Sequence, residues 1–194
     1  MNNKNDNRNI KTMTSDPSLK RTSKFLSLVL RHQPQQLGLD MDDAGWVAVD
    51  RLVANAQRAG HPLTLELLRQ IVAQSDKQRF AFSEDGLRIR ANQGHSVPVD
   101  LQLAPVLPPD WLYHGTAAGR VAAILQEGLQ KQRRHHVHLS EDREVALAVG
   151  RRYGPPVLLL VDSRRMAADG HTFFRSDNGV WLVEAVPPAY LRQL

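Results

Sequence analysis

Apolar positions in residues 18–32, SLKRTSKFLSLVLRH, recur at helical spacing, with Phe25, Leu28 and Val29 on a buried side and Lys24, Ser27 and Arg31 along the other. Lys24 and Arg31 then stand two turns apart on one stripe. Gln33-Pro34 ends this helix, because the residue before a proline avoids the helical region. Residues 45–60, GWVAVDRLVANAQRAG, predict a short extended piece and then a helix capped by Asp50. Residues 64–76, TLELLRQIVAQSD, predict another amphipathic helix with Thr64 as its N-cap. In residues 79–93, RFAFSEDGLRIRANQ, apolar and polar positions alternate on both sides of Glu84-Asp85-Gly86, the pattern of a β-hairpin. Three helices followed by a hairpin make a winged helix, a common nucleic-acid-binding module.

The pattern changes across residues 97–111, VPVDLQLAPVLPPDW, a proline-rich stretch that reads as a domain boundary. Beyond it, apolar strands (WLYHG, HVHLS, PVLLLVD, GVWLVEAV) mix with helices (GRVAAILQEG, DREVALAVGRRYG), the make-up of an α/β or α+β domain with a small sheet. At the other end, residues 1–17 are Asn-rich and nearly without apolar side chains; such a segment cannot offset its ordering entropy and is expected to be disordered. The expected division is therefore a tail (1–17), a first lobe (18–98) and a second lobe (99–194).

Composition narrows the partners. A formal net charge of +5 in 194 residues, with the cations clustered, suits a polyanionic partner. The absence of cysteine excludes disulfides, thiolate metal sites and a cysteine nucleophile. No apolar run approaches the ~18 residues of a membrane span, and no signal-peptide core is evident, so the protein is expected to be cytoplasmic and to have no membrane partner.

Residues 133–140, RRHHVHLS, raise the sharpest chemical question. As a strand they would place Arg134, His136, His138 and Ser140 on one face. A His-x-His pair with a distant histidine such as His114 is a zinc arrangement. A guanidinium on the same face opposes a divalent cation and favours a phosphate, which arginine grips while histidine and serine add donors. A solvated basic edge strand is the third reading. Elsewhere, LRHQP ends a helix with Arg31 and His32, whose charge suits the negative end of the dipole. Arg79 stands where a helix gives way to the hairpin. Asn92, Gln93, His95 and Ser96 lie in a polar stretch suited either to nucleic acid or to plain solvation. YHGT brings Gly115, which permits close backbone approach, and the Thr116 hydroxyl. Ser176, Asp177 and Asn178 form a turn before an apolar strand. No Rossmann fingerprint, Walker loop, GxSxG or HExxH is found.

Taken together, SKFLSLVLRHQP, GWVAVDRL, SDKQRFAF, IRANQGHS, LYHGT, GLQKQRRHHVHLS, GRRYGPPVLLLVD and FFRSDNGVWLVEAVPPAYL resemble the RNA 2′-phosphotransferase family, in the family's order over residues 23–191. Tyr153 departs from the expected RHG at 152–154. The resemblance implies an α+β protein: an N-terminal winged-helix RNA lobe followed by a C-terminal ADP-ribosyltransferase-like NAD lobe. It implies a catalytic tetrad of Arg31, His32, Arg79 and Arg134, with the phosphate between the lobes. His114, Gly115, Thr116, His138, Ser140, Ser176 and Asn178 fall on positions similar to the family's NAD-binding core, and Arg152 is a further candidate. Lys24, Asn92, Gln93, His95 and Ser96 are candidate RNA contacts, although His95, like His136, also suits a packing role. NAD would be consumed as co-substrate, no metal is required, and the partner would be a transfer-RNA-like molecule with an internal 2′-phosphate, acted on by a monomer. The rivals are an ADP-ribosyltransferase acting on a protein or a nucleic-acid end, with Glu184 as the candidate acid, a non-catalytic winged helix, and a His-metal hydrolase.

Overall fold

The first helix, α1 (Pro17–Arg31), buries Leu26, Val29 and Leu30, which follow one another at helical spacing. The expected stripe was offset. Leu28 lies roughly 200° around the axis from Leu26, so it joins Lys24 on the outer side and is 37% exposed. Phe25 is only partly buried and stacks on the His61 ring. Gln33 leaves the helical region before Pro34, as anticipated, and a single 3₁₀ turn (Pro34–Leu37) follows.

The computed structural model describes residues 17–75 and 77–194. The expected disorder of residues 1–17 therefore falls outside the described residues, apart from Pro17, which opens α1. Two compact units divide the chain, one ending at Leu101 and the other starting at Gln102. Among the described residues every strand pairing is antiparallel, so the fold class is α+β.

In the first unit β1 (Val47–Ala48) leads into α2 (Val49–Arg58), and α3 (Leu65–Ala73) precedes a hairpin of β2 (Phe80–Phe82) and β3 (Arg88–Ala91). Thr64 caps α3 as expected, its side chain accepting from the Leu67 N–H at 3.1 Å. Asp50 does not cap α2. The N-cap is Ala48, and Asp50 sits in the first turn, where its carboxylate accepts from the Arg51 N–H and suits the positive helix end. The hairpin turns at Gly86, whose φ of 70° favours glycine, while Asp85 accepts from Ser83 Oγ at 2.6 Å and from the Leu87 N–H. Strand order β1-β3-β2 puts Val47, Ile89 and Phe80 over the helices, where they meet Leu30, Leu52 and Leu68.

The second unit holds two three-stranded sheets and a two-stranded pair. β4 (Trp111–Ala117), β7 (Pro156–Asp162) and β11 (Leu191–Gln193) form one sheet, in the order β11-β7-β4. β6 (Val137–Leu139), β9 (Trp181–Val183) and β8 (Phe173–Arg175) form the other, in the order β6-β9-β8. α4 (Val121–Glu127), α5 (Arg143–Gly150) and the short α6 (Ser163–Ala168) complete the unit. The strand expected through GVWLVEAV is broken by a bend at Glu184: β9 stays with β6 and β8, while β10 (Ala185–Val186) pairs with β5 (Leu129–Gln130). Leu112, Leu159, Val161, Met166, Phe173 and Trp181 pack the core.

Candidate functional site

Three of the sequence candidates converge in the first unit because the segment after β3 folds back onto the end of α1. The hairpin ladder continues one step past its strands, with the Asn92 N–H donating to the Arg79 carbonyl at 3.0 Å. Asn92 is buried, and its side-chain amide donates to the Gln78 carbonyl at 2.6 Å. The Arg31 guanidinium reaches the same Arg79 carbonyl at 3.5 Å, and Arg79 is itself steadied by Ser75 Oγ, which accepts from both its N–H and its guanidinium. Further along, the Ser96 N–H donates to the Arg31 carbonyl at 2.9 Å, and the Ser96 hydroxyl stands 2.9 Å from His32 Nδ1. Gly94 lies alongside the Arg31 side chain, where a Cβ would sit 3.7 Å from Cδ and Nη1. Arg31, His32 and Arg79 are thus held in one place by residues 75 and 92–96, and the negative end of α1 favours positive charge there.

The remaining first-unit candidates divide. Ser96 and Asn92 bind other members of the cluster, and His95 is buried at 2% exposure beneath Gly45. Lys24 is exposed on α1, and Gln93 is half-buried in the loop.

In the second unit the expected strand over residues 133–140 is only Val137–Leu139. Residues 132–136 turn, so strand alternation does not align Arg134 with His138; the turn does so instead, bringing Arg134 Nη1 to 3.5 Å from His138 Nδ1. His114 Nδ1 lies 3.1 Å from the His138 carbonyl oxygen, which can only accept, so Nδ1 carries the proton and Nε2 is the acceptor. Burial holds the His114 imidazole below the ordinary histidine value against that hydrogen bond, and the Arg134 charge adds to the lowering. Arg134, His138 and His114 therefore form a short chain from guanidinium to neutral imidazole. Ser140 continues it: its N–H and carbonyl pair with Tyr113 across a single bridge, and its hydroxyl accepts from the Asp142 N–H. Asp142 in turn caps α5 through the Val145 N–H.

Gly115 does permit close backbone approach, and the structure identifies what approaches. A Cβ on Gly115 would lie 1.7 Å from the Ala146 carbonyl oxygen, and one on Gly150 would lie 2.8 Å from the Thr116 carbonyl oxygen. Backbone therefore meets backbone between α5 and β4, with Thr116 buried at the contact. Ser176 is buried too, its hydroxyl 2.7 Å from Asn178 Oδ1 and accepting from the Val180 N–H, which ties the 176–180 turn. Arg152 is exposed in a 3₁₀ turn (Arg151–Tyr153). His136 packs edge-on to Phe174 and, half-buried, is lowered mainly by desolvation.

Sequence reasoning missed Ser75, whose only signal is its place four residues before Arg79. It also missed Glu141, which accepts from Trp181 Nε1 at 2.6 Å and pairs with Arg175 at 3.4 Å, fixing the start of the Ser140–Asp142 turn. Among the described residues no group of three His, Asp or Glu side chains is placed to hold a metal ion, and no helix is long and apolar enough to cross a membrane.

The structure thus holds arginine and histidine side chains together by backbone and serine contacts on small antiparallel α+β units, and these are the side-chain types that grip phosphate. The comparisons with known proteins are more specific. Residues 17–185 match the model of the "RNA 2'-phosphotransferase, Tpt1 / KptA family". The chain is 55% identical over 180 residues to a "Probable RNA 2'-phosphotransferase" of Rhodopirellula baltica, covering 92% of this chain and 98% of that one. Proteins of the same description from Agrobacterium fabrum and Hahella chejuensis are 57% and 54% identical, over 88% and 92% of this chain and 91% and 96% of theirs. The chain belongs to the RNA 2′-phosphotransferase family.

Proposed function

We propose that this protein moves an internal RNA 2′-phosphate onto NAD. The observation that carries the reading is the convergence of Arg31, His32 and Arg79 at the end of α1, held by residues 75 and 92–96. In this reading residues 18–98 are a winged-helix RNA lobe: three helices and a hairpin in that order. Residues 99–194 are an ADP-ribosyltransferase-like lobe that takes NAD as co-substrate, with His114, Gly115, Thr116, His138, Ser140, Arg152, Ser176 and Asn178 as its candidate binding residues. The protein works as a cytoplasmic monomer on transfer-RNA-like substrates, needing no metal.

The reaction has two steps. In the first, an oxygen of the RNA 2′-phosphate attacks the anomeric carbon of the nicotinamide ribose. The carbon–nitrogen bond breaks, its electron pair leaves with neutral nicotinamide, and RNA-2′-phospho-ADP-ribose results. In the second, the adjacent ribose hydroxyl attacks phosphorus, the bond between phosphorus and the RNA 2′-oxygen breaks, and that oxygen takes a proton. The products are RNA with a 2′-hydroxyl and ADP-ribose 1″,2″-cyclic phosphate. The first nucleophile is already an anion, so the site needs orientation and charge neutralisation more than a base, which arginines supply. Arg31, His32, Arg79 and Arg134 are the candidate catalytic residues: the arginines neutralise phosphate charge, and His32 moves the proton of the second step. A neutral His114, with its Nδ1 proton committed to the His138 carbonyl, offers Nε2 as acceptor to a ribose hydroxyl.

The rival transferase acting on protein would want a free acid near the ribose. Glu184 is instead engaged by Lys131 Nζ at 2.5 Å. Incubating the protein with an RNA bearing one internal 2′-phosphate, with and without NAD, separates the readings. Phosphate loss only with NAD, with cyclic phosphate appearing, is expected. ADP-ribose retained on RNA or protein, chelator-sensitive hydrolysis, or binding without NAD turnover would overturn the proposal.

A further inference from the structure

The loop of residues 92–96 is suited by composition to touch RNA, yet its contacts point inward. Asn92 holds the Gln78–Arg79 backbone, Gly94 lies along Arg31, His95 is buried, and Ser96 makes two bonds to neighbouring members of the cluster. One of those, from its N–H to the Arg31 carbonyl at 2.9 Å, fixes where the Ser96 backbone stands relative to α1. The other sets its hydroxyl 2.9 Å from His32 Nδ1. The two residues are 64 apart in sequence, so this contact is made by the fold and not by local chain geometry.

We infer that Ser96 is the positioning residue for His32: its hydroxyl engages Nδ1, orients the imidazole and leaves Nε2 as the atom that works on the substrate. This deepens, and rests on, the reading of His32 as the proton carrier of the second step. A hydroxyl both donates and accepts, so one residue can serve the ring in each protonation state. When the imidazolium gives its Nε2 proton to the departing RNA oxygen, Nδ1–H donates to Ser96 Oγ. When the ring is neutral and carries its proton on Nε2, the hydroxyl donates to Nδ1 instead. The backbone bond to Arg31 couples this to the arginine, so ring and guanidinium keep a common frame. Conserving ring orientation in this way is how partners of a working histidine raise rates without touching substrate.

The test compares Ser96→Ala and Ser96→Thr with the wild-type protein. Single-turnover reactions with 2′-phosphorylated RNA and NAD should give nearly unchanged nicotinamide release in Ser96→Ala. The second step should slow by about tenfold, the scale of one lost orienting hydrogen bond, so that RNA-2′-phospho-ADP-ribose accumulates. Steady-state kcat falls, the KM for RNA falls with it as the bound intermediate accumulates, and Ser96→Thr, which keeps the hydroxyl, recovers most of the rate. Independently of any activity, ¹⁵N shifts of the His32 ring should change in Ser96→Ala and not in Ser96→Thr. A raised KM with unchanged kcat would overturn the inference and put Ser96 against the RNA; unchanged ring shifts would overturn it as well. If the wild-type protein leaves NAD untouched, the functional reading fails, and the ring shifts alone still decide whether Ser96 holds His32.

Discussion

Arg134 and His114 divide electrostatics from structure at the scale of single residues. Arg134 is exposed in a turn, touching His138 but contributing nothing to the core, so its loss should spare folding. Arg134→Ala should cost roughly 10²–10³ in the rate of phosphate removal, the range for losing one preorganised charge donor, with an unchanged melting temperature. His114 is the opposite case. Its folded value lies below the ordinary 6.5, so the unfolded chain binds a proton there that the folded chain refuses. Stability from this group is complete above about 6.5 and is lost as pH falls below it. Urea unfolding at pH 7.5 and 5.5 should therefore show a fall in stability that is smaller in His114→Gln. An equal fall in both would remove His114 as a cause.

At the scale of elements, the packing of α5 on β4 carries the second-unit candidates. Because a Cβ at Gly115 would meet the Ala146 carbonyl and not a yielding side chain, Gly115→Ala should destabilise the protein by ~3 kcal/mol or more, a large part of an ordinary domain's stability. A melting curve checks it; an unshifted transition would mean that α5 can move away at little cost. This is also where sequence reading was strongest and weakest. Periodicity located α1, α3 and the hairpin, since each is specified by its own residues: the helical spacing of Leu26, Val29 and Leu30, the Thr64 cap, the Gly86 turn. It failed where the outcome depends on partners distant in sequence. Leu28 is exposed on the outer stripe of α1 with Lys24, a side that helical spacing alone does not distinguish from the buried one. The run at 133–140 turns before it pairs, and GVWLVEAV changes sheets at Glu184. Residue types alone marked Arg31, His32 and Arg79 as cationic, but their meeting required the loop after β3 to fold back. The bond from Ser96 to His32 had no sequence signal.

At the scale of the whole molecule, the +5 charge is best placed to act on RNA through phosphates. With about three phosphate contacts on single-stranded RNA, affinity should fall roughly 20-fold between 50 and 200 mM salt, measured by fluorescence anisotropy. Affinity indifferent to salt would point to base recognition instead.

In the proposed reaction one phosphorus atom passes from RNA to the ribose of NAD. ³¹P NMR of a single turnover, with one internal 2′-phosphate on the RNA, follows that atom directly. The monoester resonance should give way to a diester intermediate and then to a five-membered cyclic phosphate, and should do so only when NAD is present. Conversion to free inorganic phosphate, or a monoester signal that never changes with NAD, would rule that transfer out.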